Sequence, residues 1–177
     1  QSFPNTSSTI NTLETYDYSI VKNPTTNIVW TRLNRLSIKN GLRNNYTTTK
    51  TYEWNNTDRT IISESIDQGG IETNTTTNQY TTSNNYAGWR RLTLDSKVIQ
   101  TTRTGETPIT RKIDYTYNYK YKLIKKISDA GTPYAITTTY SNFNQYGLAR
   151  KISTSSTGVA GRTTSLTYDA KSRFVIK

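Results

Sequence analysis

The chain has no histidine, no cysteine and no methionine in 177 residues. The first two absences exclude a Ser-His-Asp or Cys-His nucleophile pair, a zinc site of the common nitrogen and sulfur type, and haem or iron–sulfur ligation. Without cysteine there is no disulfide, so an extracellular chain of this kind relies on packing and hydrogen bonding. Proline and glycine number only 4 and 9, too few for a collagen-like or linker-type chain. No run approaches the ~18 apolar residues that a membrane-spanning helix needs. The opening QSFPNTSST has neither a Met nor the apolar stretch of a signal peptide. Beginning at Gln1, the chain reads as a processed form or a segment of something longer.

What is present is β-prone and polar. Thirty-five threonines, with many Asn and Ser, favour strands over helices. Hydrophobic residues make up 32%, but 14 Tyr and 3 Trp argue against disorder, which is poor in aromatics. The length suits about one domain. These features predict a folded β protein with a core thin in aliphatics and rich in Tyr. Lys and Arg exceed Asp and Glu by 23 to 12, a net charge of +11, which keeps the chain soluble and attracts anions without choosing among them. Clustering is confined to Arg111, Lys112, Lys120, Lys122, Lys125 and Lys126, a candidate anion-binding set.

No segment keeps a helical apolar period over three turns, whereas alternation is common. Ile113, Tyr115 and Tyr117 fall on one face of a strand, with Asp114 and Thr116 on the other. Turn clusters separate such runs: Asn40-Gly41, Gln68-Gly69-Gly70, Thr104-Gly105-Glu106, Asp129-Ala130-Gly131 and Ser156-Thr157-Gly158. The fold expected is all-β, a meander, sandwich, barrel or β-solenoid of short strands.

The strands repeat. Thr-Tyr pairs end at Tyr52, Tyr117, Tyr140 and Tyr168, and Tyr80 follows another Thr-rich run. After each Tyr come a polar stretch, a basic residue and a hydrophobic one, then a return through a Gly turn. One unit is therefore a β-hairpin. A lone hairpin is marginal in water, so successive hairpins must pair edge to edge into a continuous sheet. The Tyr rings would line up along it, with the following basic side chain laid on a neighbouring ring.

The run Tyr168-Asp169-Ala170-Lys171-Ser172-Arg173-Phe174 resembles the signature of the RHS/YD-repeat family, Tyr-Asp followed by a turn and Arg-Leu. Segments 112–135, 135–160 and 47–72 resemble further units. Asn118, Ser141 and Glu53 stand where Asp169 stands in the last one, and Ser172 replaces the usual turn glycine. The resemblance implies hairpins stacked into a curling sheet, the wall of a spiral or shell. It also implies a secreted or cell-surface location in a bacterial envelope, with members that enclose a toxic domain and others that are adhesive or carbohydrate-binding. Partners would be the remainder of a longer polypeptide or other surface and secretion components, with acidic glycans as ligands. On this reading residues 47–177 are hairpin repeats continuing beyond 177, and 1–46 are an N-terminal cap or degraded repeat. Arg173 through Lys177 is then the outgoing strand of a hairpin without a return.

Each candidate site has a plainer explanation beside it. Residues 114–122 would carry four Tyr beside lysines, a platform for single-stranded nucleic acid if they formed one strand; a turn at 118–121 would separate the rings. Asp67, Asp129 and Asp169 sit in turns, where the carboxylate bonds turn backbone more readily than it performs acid–base chemistry. No Asp-rich calcium loop is present. Trp30, Trp54 and Trp89 are either sugar platforms or packing anchors. The sequons at Asn5, Asn45, Asn55 and Asn74 are what an Asn/Thr-rich chain makes by chance. The expected function is a non-enzymatic extracellular scaffold needing no cofactor, with a basic module for acidic polysaccharide or nucleic acid as the alternative.

Overall fold

The structure, a computed structural model, describes residues 12–22, 25, 27–40, 46–55, 60–84, 90–171 and 174–176. Gly41, Trp89, Ser172 and Arg173, together with the sequons at Asn5 and Asn45 and the opening residues 1–11, lie outside them. Eleven antiparallel strands form among the described residues: β1 Thr12–Lys22, β2 Val29–Asn40, β3 Tyr46–Trp54, β4 Ile61–Gln68, β5 Glu72–Asn84, β6 Arg90–Arg103, β7 Ile109–Tyr117, β8 Leu123–Ser128, β9 Ile136–Phe143, β10 Ala149–Ser156 and β11 Val159–Ser165. Each is hydrogen-bonded to its neighbours in sequence, so the strand order runs simply from β1 to β11. The all-β hairpin architecture read from the alternation and the turns is what forms. No helix among the described residues is long and apolar enough to cross a membrane.

The chain divides into two compact units. The first holds β1–β4, the start of β5 and the end of β6. Its strand register places Tyr16, Leu36, Lys50, Ile66 and Asn74 in one row across five strands. The row one residue along, on the opposite face, is Thr15, Ser37, Thr49, Asp67 and Thr73. One face is therefore mixed apolar and aromatic, the other hydroxylic. The second unit holds the rest of β5 and β6 with β7–β11. Tyr115, Lys126, Thr138, Thr154 and Arg162 share one face; Thr116, Lys125, Thr139, Ser153 and Thr163 share the other.

This alternation accounts for the threonine content. Paired hydroxyls bridge neighbouring strands, Ser37 to Thr49 at 3.5 Å, Ser65 to Thr75 at 3.2 Å and Ser153 to Thr163 at 3.0 Å. Cross-strand pairs of this kind are the unit by which a sheet is stabilised. The expected Tyr-rich core, in contrast, does not close. No hydrophobic side chain among the described residues is buried; Ser96 and Asn144 are the buried side chains, and both are polar. The reason is that the described strands all belong to one sheet, so a side chain is shielded mainly by its neighbours on the same face. Stability then rests on backbone pairing and on the hairpin ends.

The glycine turns stand where the sequence puts them. Gly70, Gly105, Gly131 and Gly158 all have positive φ at the reversals β4–β5, β6–β7, β8–β9 and β10–β11. Asp67 completes the first of these by accepting the Gly70 amide at 3.0 Å, the ordinary use of an Asp in a turn.

Candidate functional site

The recurrent local structure is at the opposite hairpin ends, where an aromatic residue is followed by Asn or Asp: Trp54-Asn55, Tyr117-Asn118, Phe143-Asn144 and Tyr168-Asp169. The Asn118 amide donates to the Lys122 carbonyl at 3.0 Å, and Asn118 Oδ1 accepts from the Lys120 and Lys122 amides at 2.9 and 3.0 Å. Asn144 reproduces this bond for bond. Its amide reaches the Leu148 carbonyl at 3.0 Å, while Oδ1 accepts Tyr146 at 3.0 Å and Leu148 at 2.9 Å. Asp169 closes a longer loop in the same way, donating its amide to the Phe174 carbonyl at 3.0 Å and accepting the Phe174 amide at 3.1 Å. Asn55 donates to the Thr60 carbonyl at 2.8 Å. In the Asn118 and Asn144 turns the Asx side chain makes the reversal: one acceptor collects two amides that the tight turn leaves without a strand partner.

In three of the four turns the aromatic residue before the turn reaches back to the hairpin before it. Trp54 Nε1 donates to the Leu33 carbonyl at 2.8 Å, Tyr117 Oη to Leu94 at 3.2 Å and Tyr168 Oη to Ala149 at 2.9 Å. The partners lie 21, 23 and 19 residues upstream. β-Bulges accompany two of these contacts, with register shifts at Glu53/Trp54 and Thr116/Tyr117. A bulge re-aims a side chain, here onto a carbonyl of the neighbouring hairpin. Phe143 has no donor. Its ring instead receives Lys122 from the preceding turn, with Nζ 5.4 Å from the ring centroid, the basic-on-aromatic contact anticipated from the sequence. The Lys122 stem also lies where a Cβ on Gly147 would fall, 2.9 Å from Lys122 Cε. Gly147 has φ +86, so Gly147→Ala is expected to cost about 1 kcal/mol, read as a lower urea midpoint.

The sequence-selected repeat residues divide between two positions. Tyr117 and Tyr168 hold the turn position. Tyr52 and Tyr140 do not; they lie inside β3 and β9, because Trp54 and Phe143 take the turn position in those hairpins. Tyr80 is half-buried within β5. The unit is thus aromatic–Asx rather than Thr–Tyr, and a search restricted to Tyr misses half of it. Tyr140 still belongs to the aromatic face. Burial pushes the Tyr115 phenol up, with Tyr140 contributing, and does the same to Tyr117, helped by Tyr115 and Asp95. A phenol raised by folding contributes stability below its ordinary value near 10, lost as pH rises through the raised value. Unfolding in alkali is therefore expected to begin above about pH 10 and to weaken in Tyr115→Phe, followed by tyrosinate absorbance.

The six clustered cations are not brought together. Arg111 is committed to Asp129 by two bonds, Nε to Oδ1 at 2.7 Å and a terminal nitrogen to Oδ2 at 2.8 Å. Lys112 pairs with Asp114 at 3.1 Å, Lys120 lies 5.4 Å over the Tyr119 ring, and Lys122 is engaged with Phe143. Lys125 and Lys126 are successive strand residues and point to opposite faces. The turn at 118–122 also separates Tyr115 and Tyr117 from Tyr119 and Tyr121, so no four-ring platform forms. Of the tryptophans, Trp54 is a half-buried anchor and Trp30 is half-buried in β2.

The Arg111 guanidinium holds the Asp129 carboxyl below the usual carboxylate range. A depressed carboxylate stabilises the fold above its ordinary value near 3.9 and ceases to as pH falls through the depressed value. Asp129→Asn is therefore expected to flatten the acid limb of a urea-midpoint titration below about pH 4; an unchanged limb would show the pair to be idle.

Compared with known proteins, the chain matches no family model and no curated protein.

Proposed function

We propose that the protein is a non-enzymatic β-hairpin scaffold of RHS/YD type, a wall segment of a larger secreted or cell-surface assembly. The observation that carries the reading is the reach-back bond from one hairpin end to the carbonyl of the hairpin before it, made by Trp54, Tyr117 and Tyr168. Such a bond links only neighbours, and can be repeated indefinitely. That is the logic of an array in which each unit's stability is its own plus its interface with the next. Asp169 after Tyr168, and Asn118 after Tyr117, give the signature a physical content: the Asx acceptor makes the turn, the aromatic makes the joint.

The polyanion-binding alternative has less support, since the clustered cations are spent on internal partners or face apart. Two measurements separate the readings. Appending a further aromatic–Asx hairpin after Lys177 is expected to raise the urea midpoint of the last hairpin; no gain would count against the scaffold. Titration with heparin or a single-stranded oligonucleotide is expected to give weak binding. Tight binding with a steep salt slope would favour the alternative.

A further inference from the structure

Going beyond the scaffold reading, the Asn144 and Asp169 turns enclose a groove, whereas the same space one hairpin earlier is filled. Where the Asn118 turn meets the Asn144 turn, Lys122 occupies the gap, with Nζ 5.4 Å from the Phe143 ring centroid and its stem against Gly147. Leu148 holds the place of Lys122 in the Asn144 turn: each of the two carbonyls accepts the amide of its own Asx residue at 3.0 Å. A leucine does not reach as far as a lysine. The space beside the Asp169 turn stays open, with a volume of about 550 Å³, within the usual size of a small-ligand site. Both sides of it are fixed in advance. Asn144 Oδ1 holds the Tyr146 and Leu148 amides, and Tyr168 is tied to the Ala149 carbonyl at 2.9 Å.

The groove is lined by Gln145, Tyr146, Arg150 and Asp169 together with Tyr168. Tyr146 is 61% exposed, a ring held open to solvent on a backbone that cannot easily move. Among the described residues, the side chains of Gln145, Tyr146 and Arg150 have no bonding partner. One guanidinium and one carboxylate leave the lining without net charge, so it does not attract a polyanion. What it offers is an aromatic face beside an amide and a guanidinium, which together donate and accept hydrogen bonds in a plane. A ligand that matches this set is uncharged, with an apolar C–H face rimmed by hydroxyls. A pyranose ring has that chemistry.

We infer that the groove between the Asn144 and Asp169 turns binds an uncharged glycan chain, with one sugar ring stacked on Tyr146 and its hydroxyls bonded by Gln145 and Arg150. Asp169 balances the charge of Arg150 and so disfavours acidic sugars. Leu148 acts by being short, since a lysine there would close this gap as Lys122 closes the one before.

The probes are cellohexaose, mannohexaose and chitohexaose, all uncharged, each titrated against the full 177-residue chain and followed by backbone amide shifts. Saturable binding of at least one is expected, with a Kd of about 1 mM, shifts concentrated at Gln145, Tyr146 and Asp169, and no weakening on added salt. Tyr146→Ala weakens binding by about tenfold or more. Leu148→Lys abolishes it while the urea midpoint is retained, because the new side chain lies over Tyr168 as Lys122 lies over Phe143. The proposal is overturned if none of the three glycans binds, or if folded Leu148→Lys binds as well as the unaltered chain. A sulfated hexasaccharide that displaces them, and does so less well as salt rises, overturns it too and assigns the groove to a polyanion. The hairpin joints are read separately, by carbonyl shifts, so none of these failures bears on the scaffold reading.

Discussion

Tyr117→Ala is expected to destabilise the unit containing β7–β11 by about 3 kcal/mol, while Tyr117→Phe costs about 1 kcal/mol. Removing a fully buried aromatic ring costs roughly 3–5 kcal/mol. Tyr117 is half-buried, so the ring contributes about half of that. The hydroxyl bond to the Leu94 carbonyl contributes the usual net value near 1 kcal/mol, because the unfolded chain satisfies both groups with water. Urea unfolding monitored by near-ultraviolet circular dichroism separates the two terms. If Tyr117→Phe is neutral and Tyr117→Ala is not, the ring matters and the joint does not.

The second large effect is expected at Asn144. This side chain is 9% exposed and its Oδ1 accepts two backbone amides, those of Tyr146 and Leu148. Asn144→Leu keeps the bulk and removes both acceptor contacts, for a loss of about 2 kcal/mol at roughly 1 kcal/mol per bond. Asn144→Asp keeps the acceptor and is expected to retain most of the stability, in line with Asp169 serving the equivalent turn naturally. Asn118→Leu is a weaker version of the same change, because that turn is half-buried rather than buried. Equal losses for Asn144→Leu and Asn144→Asp would mean that the side chain fills space and does not organise the turn.

The two substitutions also show what a linear reading of this chain reaches. Strand character was legible at Ile113, Tyr115 and Tyr117, where alternation is strict, and in the glycine turns, where positive φ leaves few alternatives to Gly. The hairpin closed by Tyr168-Asp169 was legible because the Asx turn is local: donor and acceptor lie within five residues. The true register of the repeat was less visible. What is conserved between units is an aromatic ring before an Asx, and the ring is Trp, Tyr, Phe and Tyr in turn, so a pattern built on Thr-Tyr pairs lands on Tyr52 and Tyr140 inside the strands. Tyr117, Phe143 and Tyr168 are 26 and 25 residues apart, a more even spacing than the Tyr-only count provides. The fate of the cations was not legible at all. Arg111 finds Asp129 eighteen residues away, a partner that only the pairing of β7 with β8 brings within reach. Likewise nothing in composition says that an aromatic face will stay half-open, since that depends on whether a second layer covers it.

The joint between hairpins is tested most directly by carbonyl carbon-13 shifts in Trp54→Phe, Tyr117→Phe and Tyr168→Phe, each compared with the unaltered chain. Each change removes one donor and leaves an aromatic ring in place, of nearly the same shape in the two Tyr→Phe variants. The expected result is one displaced carbonyl per variant beyond the site of substitution: Leu33, Leu94 and Ala149 respectively. Shifts spread only over each variant's own turn, with those three carbonyls unmoved, would contradict the account.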